Sequence, residues 1–173
     1  MYMKTLIISS SLSPKSCSYI LCKNVFEGLK KKKVEVELFD ARNIELLPHH
    51  RGLTTGMKKL IDKMKKADNV IFGMGVHNYS VNDGLKIILD SFPKEVCEGK
   101  FFGVVCAAGS PNSYLSTMHL TQMCMNEWRM IQLPRIVYAT GSDFQESKII
   151  NEGILDRIDK FCEEFVKIGK KLM

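Results

Sequence analysis

The chain has 173 residues, 45% hydrophobic and 25% charged, with 25 Lys and Arg against 19 Asp and Glu. That length predicts one domain over residues 1–173, and the composition supplies a core and excludes a disordered chain. No apolar run approaches the roughly 18 residues of a spanning helix. The start, Met-Tyr-Met-Lys-Thr-Leu-Ile-Ile, lacks a signal-peptide pattern, so a cytoplasmic protein without membrane association is expected.

Leu6-Ile7-Ile8 reads as a strand, and Ile20, Leu21, Val25 and Leu29 then recur at helical spacing. Val34-Glu35-Val36-Glu37-Leu38 alternates, as a strand near a sheet edge does. A loop through Pro48 and Gly52 leads to a helix over 57–67, and Val70-Ile71-Phe72 is a third strand. A helix over 83–91 ends before Pro93, and residues 101–107 form a fourth strand. Residues 114–131 predict one helix, Ile136-Val137-Tyr138 a fifth strand, and an apolar stripe from Ile150 to Leu172 the last helix. Strands alternating with helices predict a flavodoxin-like three-layer α/β/α sandwich, its five-stranded parallel sheet ordered 2-1-3-4-5.

Six cysteines, at 17, 22, 97, 106, 124 and 162, include no C-x-x-C pair and read as buried thiols. Lysines at 30–33 and from 58 to 66 read as solvated helix faces. No aromatics interleave with them, so nucleic acid is not an expected partner. His49-His50-Arg51 lacks ligand partners at metal-binding spacing and reads as an exposed loop, so no metal site is expected.

In such sheets ligands bind beyond the carboxyl ends of the strands, where the strand order reverses. The loop after the first strand holds six serines in the ten residues 9–18 and opens a helix, a combination suited to phosphate. It lacks the Gly-Lys-Ser/Thr ending of a Walker A loop and the G-x-G-x-x-G of a dinucleotide fold. Lys23 stands six residues after Cys17, where a cysteine-dependent phosphatase needs Arg, and serines replace a receiver domain's acidic residues. The third-strand loop offers glycines for close approach, ring faces at His77 and Tyr79, and Asn78 for a planar heterocycle. The fourth-strand loop, Ala107-Ala108-Gly109-Ser110, leaves backbone N–H groups for a ring edge.

The segment from Ala67 to Asp90, whose helix carries Leu85-Lys86-Ile87-Ile88-Leu89-Asp90 at its end, resembles the NAD(P)H-dependent FMN reductases. Pro93-Lys94-Glu95, Gly99-Lys100, Ala108-Gly109-Ser110 and Leu115 resemble in particular the flavin reductases of alkanesulfonate-utilising two-component systems. The resemblance implies a flavodoxin-like fold, FMN and NAD(P)H as cofactors, and a homodimer or homotetramer. It places phosphate on Ser11, Ser16 and Ser18, with Ser13 where the family carries Arg, so that affinity leans on Lys15. It places the flavin ring against Gly75, Val76, His77, Asn78 and Ser80, and against Ala108, Gly109 and Ser110. Gly75 stands for a family Pro, His77 for a Tyr, and Asn82-Asp83 for small residues.

The resemblance further implies hydride transfer between cofactors, with no catalytic side chain acting as nucleophile or base. Electrons then pass to free flavin, a quinone, an azo compound or a metal oxyanion, or to a partner monooxygenase. The sulfonate-type reductases carry an inserted Tyr in the helix after strand four, associated with flavin exchange and tetramer contacts. Its equivalent position falls near His119, which reads as an interface residue. Met118, Met123, Met125 and Met130 read as core or subunit-contact packing. Two other classes stay open: a flavodoxin-like electron carrier, disfavoured by the net charge of +6, and a flavodoxin-fold binding module without reductase activity.

Overall fold

A computed structural model describes residues 3–173. Met1 and Tyr2, at the start read for a signal peptide, lie outside them. The elements run β1 (Lys4–Ser9), α1 (Cys17–Lys31), β2 (Glu35–Asp40), α2 (Thr55–Lys66), β3 (Asn69–His77), β4 (Ser80–Val81) and α3 (Asp83–Asp90). They continue α4 (Lys94–Cys97), β5 (Phe101–Ala108), α5 (Thr117–Trp128), β6 (Ile131–Gln132), β7 (Val137–Thr140), β8 (Phe144–Gln145), β9 (Lys148–Ile149) and α6 (Glu152–Leu172).

The continuous apolar runs became the central strands, because a strand covered on both faces has no polar side. Leu6, Ile7, Ile8, Val70, Ile71 and Phe72 are all buried. The main sheet runs β2-β1-β3-β5-β6, with β7 also on β5, and all these pairs are parallel. By position this is the expected 2-1-3-4-5 order, with the alternating strand β2 at the edge.

The sheet is not strictly five-stranded. Its fifth position holds two short strands, β6 beside Phe101 and Phe102 and β7 beside residues 105–108. Pro134, between them, has no N–H to offer β5. A further strand, β4, folds back antiparallel onto β3, and β8 and β9 form a separate hairpin.

The helix expected over 114–131 is shorter. Residues 111–116 form a 3-10 turn with Ser113 outside helical geometry, and left-handed Arg129 (φ 54°) closes α5. The last helix begins at Glu152, two residues beyond Ile150, capped by Asn151. The short helix α4 is a sixth.

Alternate residues of each strand face opposite layers. Ile7 and Ile71 pack with Leu21, Val25 and Leu29 of α1 and with Ile158, Phe161 and Phe165 of α6. Leu6, Ile8, Val70 and Phe72 pack with Met57 and Leu60 of α2, Leu85 and Ile88 of α3, and Leu120 and Trp128 of α5. Each such buried side chain contributes about 1.5–3 kcal/mol. Five of the six cysteines are buried, as expected, and all six are free thiols. Burial pushes the thiols of Cys22, Cys97, Cys106 and Cys162 up to about 12. No helix among the described residues is long and apolar enough to cross a membrane.

Candidate functional site at the strand carboxyl ends

The loop joining β1 to α1 is folded by its own serines. The Ser13 N–H donates to Ser11 Oγ and the Lys15 N–H to Ser13 Oγ, both at 3.3 Å. Each hydroxyl accepts in these turns, which leaves its hydrogen free to donate outward. Ser16 caps α1 by accepting from the Tyr19 N–H at 3.0 Å, and its hydroxyl lies 3.0 Å from that of Ser18. Helix geometry leaves the N–H groups of Cys17 and Ser18 without an intrahelical acceptor. The first turn of α1 holds no acidic residue to answer the helix dipole. These donors, with exposed Lys15 beside them, match the chemistry of a phosphate group.

Arg42 is a cation that the sequence reasoning missed. It sits in the 3-10 turn after β2, bonded through Nε and Nη2 to the Asp40 carboxylate, and lies 4.2 Å over the Tyr19 ring. Its Nη1 donates to the Pro14 carbonyl at 3.4 Å, which anchors the first loop. The pairing came from Asp40-x-Arg42, a cap-and-fork spacing legible only once β2 was known to end there.

The first and third loops are joined by Asn82, 1% exposed just before α3. Its Nδ2 donates to the Ser10 carbonyl at 3.0 Å, and its Oδ1 accepts from the Gly75 N–H at 3.1 Å. The same Oδ1 stands 3.0 Å from Ser10 Oγ, whose hydroxyl also reaches the Gly73 carbonyl at 2.7 Å. The Ser10 N–H meets that carbonyl as well, at 3.0 Å.

Beyond Gly75 the third loop is a hairpin. Val76 pairs with Val81 and His77 with Ser80, and the turn residues Asn78 and Tyr79 have φ of 48° and 59°. Val76 and Ser80 are half-buried, whereas His77, Asn78 and Tyr79 are exposed. His77 Nδ1 lies 3.7 Å from Asp83, and Ser80 Oγ lies 3.2 Å from His119 Nδ1 on α5. The hairpin thus rests on α5. No hydrogen bond joins Asn78 or His77 to the first loop among the described residues.

At the end of β5, Ala108 is buried, Ser110 half-buried and Gly109 exposed. Gly75 is in register with Ala107, so the third and fourth loops leave the sheet side by side. The Ser110 carbonyl accepts from Tyr138 Oη at 2.5 Å and from Ser113 Oγ at 3.0 Å, and the two hydroxyls lie 2.9 Å apart. The Tyr114 ring meets Tyr138 edge-on, with centroids 5.2 Å apart. Burial pushes the Tyr138 phenol above its ordinary value, and the Ser113 hydrogen bond opposes the shift. Tyr138 was legible as a strand residue, not as the brace of this loop.

A cleft of about 940 Å³ opens between α1 and the β8–β9 hairpin. It shares Lys15 and Ser16 with the first loop but reaches neither β3 nor β5. His49 and His50 lie exposed in a 3-10 turn. No cluster of metal-ligating side chains occurs among the described residues.

No curated protein matches the sequence. Among solved structures, FerB, a flavoenzyme NAD(P)H:(acceptor) oxidoreductase from Paracoccus denitrificans, is similar at 16% identity and TM-score 0.77, over 98% of each chain. An NADH:FMN oxidoreductase, EmoB, is similar at 17% identity and TM-score 0.76, over 93% of this chain and 89% of that one. An archaeal flavodoxin follows at 14% and 0.65, over 98% and 99%. At these identities the likeness establishes the flavodoxin-like fold. The family described as NADPH-dependent FMN reductase matches residues 3–145, most of the chain and all three strand-end loops. The protein therefore belongs to the NADPH-dependent FMN reductase family.

Proposed function

We propose that this reductase holds FMN across the carboxyl ends of β1, β3 and β5, in one domain over residues 1–173. The phosphate lies on Ser11, Ser13, Lys15, Ser16 and Ser18. The ring lies between Gly75, Val76, His77, Asn78 and Ser80 on one side and Ala108, Gly109 and Ser110 on the other. Bound FMN supplies the redox chemistry, taking a hydride from NAD(P)H. The protein's own work is to bind and orient: serine hydroxyls and the start of α1 neutralise phosphate, and the braced carbonyl of Ser110 fixes the fourth loop.

The observation that carries this reading is the first turn of α1. It leaves the N–H groups of Cys17 and Ser18 free, carries no competing carboxylate, and follows directly on exposed Lys15. In titrations followed by flavin fluorescence, Lys15→Ala should weaken FMN by roughly three- to tenfold and leave riboflavin unchanged, since only FMN carries the charge. Equal effects on both flavins would place the phosphate elsewhere. NAD(P)H oxidation on addition of FMN tests the activity itself.

The acceptor is free flavin, a quinone, an azo compound or a metal oxyanion, with a partner monooxygenase as one destination of reduced flavin. The net charge of +6 speaks against a carrier of the acidic flavodoxin type. The protein works in the cytoplasm as a homodimer or homotetramer. Exposed Met118 and Met125 on α5, with Leu115 in the turn before it, supply an apolar face, and His119 lies beside it.

A further inference from the structure

The three side-chain contacts of Asn82 do not serve the ordinary role of an asparagine before a helix. Its side chain makes no capping bond to α3, although Asn is among the preferred capping residues. It spends both ends of its amide on other strands' loops: Nδ2 on the Ser10 carbonyl and Oδ1 on the Gly75 N–H. Burial at 1% means water does not compete for these bonds. The Gly75 N–H is therefore committed to Asn82.

We infer that Asn82 is a positioning residue that locks the first loop to the third, so that the phosphate and ring sites act as one preorganised site. This rests on the FMN placement proposed above. Ser10 precedes the serine turns, and Gly75 is the last residue of β3 before the hairpin pairing begins. A tie between them sets the separation of the two half-sites before any ligand arrives. A ligand that fills both halves then pays no further ordering entropy, the advantage of any linked pair of sites.

The test compares FMN, which spans both halves, with riboflavin, which lacks the phosphate. Asn82→Ala should weaken FMN by about tenfold and riboflavin by less than about threefold, because losing the tie removes the advantage of linkage. A general loosening of the fold would weaken both in parallel, and that result would overturn the inference. So would an unchanged preference for FMN over riboflavin. If Asn82→Ala does not fold, Asn82→Asp serves instead. It keeps the acceptor for Gly75, loses the donor to Ser10 and should also reduce the ratio of the two affinities. The thermal midpoint of the flavin-free variants is the control, since a merely structural role moves it and leaves the ratio alone. Failure of the FMN placement itself is distinguishable: the unmodified protein would then show no preference for FMN, which sinks both.

Discussion

Gly73 of β3 and Cys22 of α1 occupy one space: a Cβ at position 73 would stand 2.0 Å from the Cys22 sulfur. The helix that presents the first loop is thus seated on β3 at the level where Ser10 bonds the Gly73 carbonyl. Gly73→Ala should destabilise the protein by about 2–3 kcal/mol in urea unfolding, the usual scale of core overpacking. Adding Cys22→Ala should recover part of that loss. Recovery stays incomplete, because the Ile8 carbonyl would still lie 3.3 Å from the new carbon. Additive losses in the double variant would show that the two positions do not compete.

Gly84 makes a second close approach. A Cβ there would lie 2.4 Å from the Ser10 carbonyl oxygen, a backbone atom already held by Asn82. Ala is the better helix former by about 1 kcal/mol, yet the clash outweighs that gain. Gly84→Ala should cost about 1–3 kcal/mol of stability and weaken FMN by pushing α3 away from the first loop. Melting and FMN titration of the same sample check both effects.

Cys17, first residue of α1, is the only cysteine outside the buried class among the described residues. Burial still raises its thiol above the ordinary value. The thiolate is the reactive form, so alkylation should be slow near neutral pH and rise about tenfold per pH unit until the raised value is reached. One thiol should react in the native protein and the other five only on unfolding. Saturating FMN should slow modification of Cys17 at least severalfold, read by peptide mass spectrometry. An unchanged rate would argue against phosphate at the start of α1.

Ser13 stands where the family resemblance of the sequence implies Arg. Its side chain is exposed, and its hydroxyl oxygen accepts from the Lys15 N–H within the turn. Ser13→Arg should tighten FMN by roughly three- to tenfold at low salt, through a charge-assisted bond to phosphate. Riboflavin binding should not change, and the gain should shrink as salt screens the pair.

The apolar face of α5 predicts self-association. Leu115, in the turn before α5, is 74% exposed, and Met118 and Met125, about two helical turns apart, are about half exposed. Met118→Glu should shift light-scattering mass toward the monomer while leaving circular dichroism unchanged. A monomeric unmodified protein would remove this surface from consideration.

The central strands were legible because Leu6-Ile7-Ile8 and Val70-Ile71-Phe72 are covered on both faces and carry no polar residue. The divided fifth strand was not, since a two-residue strand such as Ile131-Gln132 has no periodicity to read. The β3–β4 hairpin was hidden for another reason: its turn places Tyr79 at positive φ, where sequence rules look for Gly. Residues 114–116 share helical spacing with α5, but the turn from Ser110 through Pro111 winds them more tightly. The first loop announced itself by its serines. Asn82 did not, because its partner Ser10 lies 72 residues away and a cross-loop bond leaves no local pattern.

The two margins of the sheet are closed by different means. On one, β2 displays Glu35 and Glu37, paired with Lys4 and Lys63. On the other, β6 and β7 are separated by Pro134, and Arg135 beside it is clamped to Glu164 of α6 at 2.7 Å. Charged side chains along β2 and the proline break between β6 and β7 both discourage a foreign strand from pairing there. A copy of this chain approaching edge-on would have to break these ion pairs or bridge this proline, so crowding should not drive it into edge-on fibres.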